Sequence, residues 1–173
     1  MTVLSDITIK QMVNRGELII KPYEEKNVAG VSVDLRLGPG LLFPDYENMM
    51  HISLDEEIKY REDSSMIIPP NSFVLATTLE EFVLPTDICG SVEGRSSVGR
   101  RALDVQNAPH IGPGFQGNIT LELHNKNPLP FPLKVGDSIC QIIFYQIDKK
   151  VDIPYQGRYL GQRGTTGSRL RKR

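Results

Sequence analysis

No apolar stretch in the 173-residue chain approaches the roughly 20 residues a helix needs to cross a bilayer, which argues against a membrane role. An excess of one charge is also missing. With 20 Lys and Arg against 21 Asp and Glu, no global field draws the chain to nucleic acid or an anionic membrane, and any anion site must be local. The two cysteines and three histidines have no zinc-ligand spacing. Cys89 and Cys140 lie in apolar, strand-like surroundings and read as buried, reduced thiols. The polar start, Met1-Thr2-Val3-Leu4-Ser5-Asp6, lacks the pattern of a signal peptide, and the expected location is cytoplasmic. Neither Gly-x-x-x-x-Gly-Lys-[Ser/Thr] nor a Gly-x-Gly-x-x-Gly after a strand occurs.

What is present, 39% hydrophobic and 24% charged residues, suits one compact domain with a sizeable core over residues 1–173. Ser5 can cap a helix from Asp6 to Arg15, with Ile9, Met12 and Val13 at helical spacing and Gly16 after its end. The rest has a β pattern. Val31, Val33, Leu35 and Leu37 alternate with polar residues, and short apolar runs follow at Met66-Ile68, Phe73-Thr77, Phe82-Leu84, Ile119-Leu123 and Ile139-Tyr145. Proline and glycine punctuate these runs, as in Gly38-Pro39-Gly40, Pro69-Pro70-Asn71 and Pro113-Gly114. Many short strands of this kind point to a β-sandwich, a jelly roll or a distorted barrel.

Two segments carry candidate chemistry. In Gly117-Asn118-Ile119-Thr120-Leu121-Glu122-Leu123-His124, alternation sends Ile119, Leu121 and Leu123 to one face and Asn118, Thr120, Glu122 and His124 to the other. Glu122, the run's only carboxylate, is either solvated or the reactive group of a site. In Glu93-Gly94-Arg95-Ser96-Ser97-Val98-Gly99-Arg100-Arg101, hydroxyls flanked by guanidinium groups and glycines can hold an anion such as phosphate. A surface loop would share that composition. The Asp34-Leu35-Arg36 run reads as structural ion pairing, and His51 and His124 as surface or hydrogen-bonding residues.

Five motifs occur in one order: Ser5-Asp6 before the helix, Ser32-Val33-Asp34-Leu35-Arg36-Leu37-Gly38, Gly94-Arg95-Ser96-Ser97-x-Gly99-Arg100, Pro113-Gly114-Phe115-x-Gly117 and Ile119-Thr120-Leu121-Glu122-Leu123. From about Leu4 to Ser168 the sequence resembles the dCTP deaminases of the trimeric dUTPase superfamily. The resemblance implies a mainly β fold, a distorted jelly-roll β-barrel of the dUTPase type with a short N-terminal helix. It also implies a homotrimer with active sites between subunits.

The implied chemistry is hydrolytic deamination at cytosine C4 without zinc; the His-x-Glu and Cys-x-x-Cys pair of zinc-dependent deaminases is missing. In that family pattern Glu122 transfers protons, while Ser96 and Arg100 position water and support the developing charge. The implied nucleotide contacts are Arg95, Ser96, Ser97, Arg100, Asn107, Ala108, Gly112, Thr120, Leu121, Glu122, Gln141, Tyr155, Arg158 and Gln162. Residues 154–168 resemble a nucleotide-covering lid, in which Tyr155 would pack on the sugar while Arg158 and Gln162 meet phosphate. Arg169, Arg171, Lys172 and Arg173 read as a solvated tail beyond it. Magnesium is expected through the triphosphate, with no metal ligands from the protein, and dTTP as an inhibitor.

One segment departs from its relatives. Gln106-Asn107-Ala108-Pro109-His110-Ile111-Gly112 has Gly112 where family members usually carry an Asp that meets the sugar; Asn107 and His110 are candidate substitutes. Gly99 and the Tyr159-x-Gly161-Gln162-Arg163-Gly164-x-Thr166-x-Ser168-Arg169 run look most like the bifunctional branch, which forms dUMP from dCTP. The alternatives are a deaminase releasing dUTP, a dUTPase without deamination, and a non-catalytic nucleotide-binding jelly roll.

Overall fold

The computed structural model describes residues 1–47, 49–105 and 108–170. The expected helix spans Asp6–Asn14, with Ser5 Oγ accepting the Thr8 amide at 3.4 Å. Arg15, assigned to the helix by its pattern, is instead the C-cap. No helix is long and apolar enough to cross a membrane among the described residues.

Two six-stranded antiparallel sheets enclose one core. The first has the order His110–Ile111, Ile88–Gly94, Ser138–Gln146, Ser32–Arg36 and Val28–Ala29, with Thr2–Val3 also paired to Ser138–Gln146. The second runs Leu103–Val105, Gln116–Asn125, Ser72–Val83, Leu41–Asp45 and Lys59–Asp63, with Ile19–Lys21 also paired to Ser72–Val83. Phe82 of the second sheet and Phe144 of the first are both fully buried, with ring centroids 6.4 Å apart. Each fully buried side chain of this size contributes about 1.5–3 kcal/mol relative to exposure. The fold is therefore mainly β. Among the described residues the strand ladders form these two sheets and a separate two-stranded ribbon, Ile67–Ile68 with Phe131–Pro132, and do not close into a barrel.

The alternation expected around Glu122 is present. In Gln116–Asn125, Ile119, Leu121 and Leu123 are buried while Asn118, Thr120, Glu122 and His124 are half-buried on the opposite face. The runs Phe73-Thr77 and Phe82-Leu84 belong largely to one strand, Ser72–Val83. Their separation in the sequence pattern has a structural cause: the register opposite Asn118 and Thr120 shifts from Glu81 to Thr77. Within this irregularity Thr77, Thr78 and Glu80 are all buried, and Thr78 Oγ1 accepts the Ile119 amide at 3.0 Å while donating to Glu80 O at 2.7 Å.

Burial of Glu80 is matched by a partner. Its carboxylate accepts the Arg36 amide at 2.9 Å and Arg36 Nε at 2.7 Å, and Arg36 also pairs with Glu24. The hydrogen bond from Arg36 to Glu80 and their attraction raise the guanidinium pKa above its ordinary value against the effect of burial. The Asp34-Leu35-Arg36 run is thus structural, with each charge paired elsewhere: Arg36 to Glu80, and Asp34 to Arg95 at 2.6 Å. Lys59–Asp63 carries Lys, Arg, Glu and Asp on the edge of the second sheet, which protects an open edge from further pairing. Its lack of an apolar period leaves no strand signal in the sequence.

Candidate active site

The outward face of the second sheet forms the floor of a cavity of about 400 Å³, within the usual size range of small-molecule pockets. Strand pairing sets Glu122 opposite Leu75, and His124 opposite Phe73. Glu122, Thr120, Leu75, Phe73 and Tyr60 line the floor. One wall comes from Ala108 and from His110 to Gly112; another comes from Tyr155, Tyr159, Gln162 and Thr166–Ser168. Glu122 is the only carboxylate among the described lining residues, and no Lys or Arg is among them.

The C-terminal wall is tied to the floor by backbone geometry. Gly161 N donates to Gln116 O at 2.8 Å, Asn118 N to Gln162 O at 3.1 Å, and Gly164 N to Asn118 Oδ1 at 3.2 Å. Farther along, Thr166 N donates to Thr120 Oγ1 at 3.2 Å. Gly117 makes this approach possible: at φ +127° a Cβ there would lie 2.5 Å from Gln162 O. Tyr155 is fixed by its amide to Pro113 O at 2.8 Å and by an edge-on contact with Phe115, centroids 5.7 Å apart. Its ring also packs over Gly112.

The structure therefore gathers Ala108, Gly112, Thr120, Glu122, Tyr155 and Gln162 around one cavity. Leu121 is fully buried in the core, so its side chain is not in the cavity wall. Gln162 is buried and its Nε2 donates to Asn118 O at 2.7 Å, leaving Oε1 without a hydrogen-bond partner among the described residues. That amide anchors the C-terminal segment to the second sheet. Arg158 donates to Arg169 O, while Arg169 Nη1 returns a bond to Arg158 O at 2.6 Å and Arg169 N donates to Tyr159 Oη at 3.3 Å. Arg169 is exposed, as expected of a solvated tail, and also helps close residues 158–169 into a loop; Arg171, Lys172 and Arg173 lie outside the described residues. Asn107 lies outside the described residues.

Arg95, Ser96, Ser97, Arg100 and Gln141 do not line this cavity. Ser96–Gly99 is a four-residue helix following the Ile88–Gly94 strand of the first sheet. Ser96, Ser97 and Arg100 are exposed, while Arg95 holds Asp34. Gln141 accepts a hydrogen bond from Ser32 Oγ at 2.9 Å and lies between Asp34 and Glu93 in the sheet. The expected site residues thus fall in two separate patches on one chain, one with the Glu122 carboxylate and the other with the exposed Arg100, Ser96 and Ser97. Sequence reasoning missed Tyr60, whose only signal is a lone aromatic in the charged run Lys59-Tyr60-Arg61-Glu62-Asp63.

Residues 3–147 match the family described as dCTP deaminase-like. The chain belongs to that family. It is 40% identical to a protein of Persephonella marina named "dCTP deaminase, dUMP-forming", over 97% of both chains. A protein of the same name from Aquifex aeolicus is 39% identical, covering 97% of this chain and 94% of its own. Among solved structures, a 2'-deoxycytidine 5'-triphosphate deaminase from Agrobacterium tumefaciens shares the fold with a TM-score of 0.66 at 20% identity. That similarity covers 83% of this chain and 48% of the longer Agrobacterium one. The EIAV dUTPase aligns with a TM-score of 0.51 at 18% identity, over 82% of this chain and 98% of its own. These neighbours make the two-sheet architecture of this dCTP deaminase-like chain a dUTPase-like fold.

Proposed function

We propose that this chain hydrolyses dCTP to dUTP and ammonia, then cleaves the bound dUTP to dUMP and diphosphate. The observation that carries the reading is Glu122, the one carboxylate among the described residues lining a cavity of about 400 Å³, in a chain matched over 97% of its length by proteins named dUMP-forming dCTP deaminases. In the first reaction water bonds to cytosine C4 as one of its protons passes to the Glu122 carboxylate and from there to N3. The tetrahedral intermediate then loses ammonia: the C4–N bond breaks, the C4 hydroxyl proton passes through Glu122 to the leaving amine, and the C4 carbonyl forms. In the second, a different water bonds to the α-phosphorus as the bond to the β-phosphate oxygen breaks.

A triphosphate cannot be neutralised by this cavity alone, because no Lys or Arg lines it among the described residues. The missing cation and hydroxyls, Arg100, Ser96 and Ser97, are exposed outside it. A head-to-tail assembly that sets one chain's Ser96–Arg100 loop against the next chain's cavity closes into a ring, and a homotrimer is the form proposed. Among the described residues no three His, Cys, Asp or Glu side chains meet as a metal site. Magnesium is proposed as an ion carried on the phosphate oxygens, where it would offset their charge. dTTP offers the same sugar and triphosphate with no C4 amine, and is proposed as a competing inhibitor.

Incubation of the protein with dCTP and magnesium, followed by chromatography, should yield dUMP without free dUTP. Accumulating dUTP would remove the second step, and unchanged dCTP the whole reading. Glu122→Gln should still bind dCTP yet lose at least about 100-fold in deamination, the usual worth of a positioned proton-transfer group. Co-refolding Glu122→Gln with an inactive Arg100→Ala variant should restore turnover, since mixed rings contain sites with both residues intact. Failure of that mixture to recover any activity would rule out sites shared between chains.

A further inference from the structure

Tyr60 stands on the edge strand Lys59–Asp63, lines the Glu122 cavity, and meets the C-terminal segment in two ways. Its hydroxyl oxygen accepts the Ser168 amide at 3.1 Å. Its ring lies against Gly167 so closely that a Cβ there would be 2.6 Å from Tyr60 Cε2. One residue earlier, Thr166 N donates to Thr120 Oγ1, and Thr120 sits two positions from Glu122 on the same face of its strand.

The segment that Tyr60 touches is a preformed loop. Arg158 and Arg169 exchange guanidinium-to-carbonyl bonds across its neck, and the Tyr159 ring lies 5.9 and 5.8 Å from their two guanidinium carbons. One side of the loop is fixed to the sheet at Gln162. The other side, Thr166–Ser168, forms part of the cavity wall and meets the floor through Thr120 and Tyr60.

We infer that Tyr60 is a positioning residue for the reaction: it seats the Thr166–Ser168 arm of the loop and so sets the closure of the cavity over Glu122. Its hydroxyl supplies the directional bond, and its ring lies so close to Gly167 that a side chain there would have to displace it. The catalytic consequence rests on the deaminase reading above; the seating of the loop does not.

The test uses the full-length protein without nucleotide and follows trypsin cleavage after Arg163 and Arg169. Tyr60→Phe removes only the hydroxyl and should speed cleavage about two- to tenfold, the worth of one hydrogen bond in a local opening equilibrium. Its melting temperature should stay at the parent value. Gly167→Ala should speed cleavage when Tyr60 is present and have little effect in a Tyr60→Ala background, because the clash needs the ring; this coupling separates a direct contact from general destabilisation. Equal acceleration by Gly167→Ala in both backgrounds would overturn the contact, as would parent-like cleavage of Tyr60→Phe. With dCTP, Tyr60→Phe should raise KM, by at most the factor seen in cleavage, and move kcat less than about twofold. Faster cleavage with an unchanged KM would overturn the positioning role. A parent protein inert towards dCTP would instead strike the deaminase reading and leave the cleavage result standing.

Discussion

Replacing Gly117 by alanine strikes the junction between the sheet and the C-terminal wall of the site. The new Cβ would lie 2.5 Å from Gln162 O and 3.0 Å from Gln162 N. Both are backbone atoms, so no side-chain rotation relieves the clash, and at φ +127° an L-residue carries a further strain of about 1–3 kcal/mol. Four hydrogen bonds hold the segment there: Gly161 N to Gln116 O, Asn118 N to Gln162 O, Gln162 Nε2 to Asn118 O, and Gly164 N to Asn118 Oδ1. At about 0.5–1.5 kcal/mol apiece they contribute about 2–6 kcal/mol. The alanine variant should therefore undock Gly161–Gly164 while the core residues Ile119, Leu121 and Leu123 remain packed. Loss of even about 2 kcal/mol of site organisation corresponds to about a 30-fold fall in kcat/KM. The assay is dCTP turnover at fixed magnesium, with trypsin cleavage after Arg163 as the measure of docking. A variant within about threefold of the parent kcat/KM, and equally protected at Arg163, would refute the assignment of this junction to the site.

Two further outcomes follow from the buried polar groups. Glu80→Ala leaves the Arg36 guanidinium, whose side chain is only 15% exposed, without its buried partner, and should cost about 3–5 kcal/mol in urea unfolding; a loss under about 1 kcal/mol would mean that Glu24 or water replaces Glu80. The Cys140 thiol pKa is pushed up, chiefly by burial and further by the Glu80 and Asp34 carboxylates. Because the folded-state value lies above the unfolded one, stability should be unaffected by this group below the unfolded thiol's pKa of about 8.5 and should decline as pH rises above it. Alkylation of Cys140 at that pH should proceed only as fast as the chain unfolds, and rapid labelling of the native protein would contradict its burial.

Much of the site-bearing strand was legible because a period of two needs no tertiary information. The buried and half-buried residues of Gln116–Asn125 alternate as the sequence pattern requires, so Glu122 could be assigned to the polar face directly. The helix was equally local, set by Ser5 and by apolar spacing. Lys59–Asp63 was not legible, since a charged edge strand is held by its neighbour's ladder rather than by burying apolar residues. Glu80 was also hidden. Its burial depends on a shift in strand register and on an arginine 44 residues away in sequence.

By itself, the sequence determined the β character, the N-terminal helix, the reduced cysteines and the carboxylate's face, all consequences of local periodicity and composition. Resemblance extended that reading to a family and a reaction. Only the tertiary structure decided which residues share a cavity, because that depends on chain crossings rather than on spacing along one strand. It set Tyr60 and the Thr166–Ser168 arm beside Glu122 and made Gln162 an anchor for the C-terminal segment. It also left the Ser96–Arg100 loop outside the cavity wall, on a separate patch of the chain.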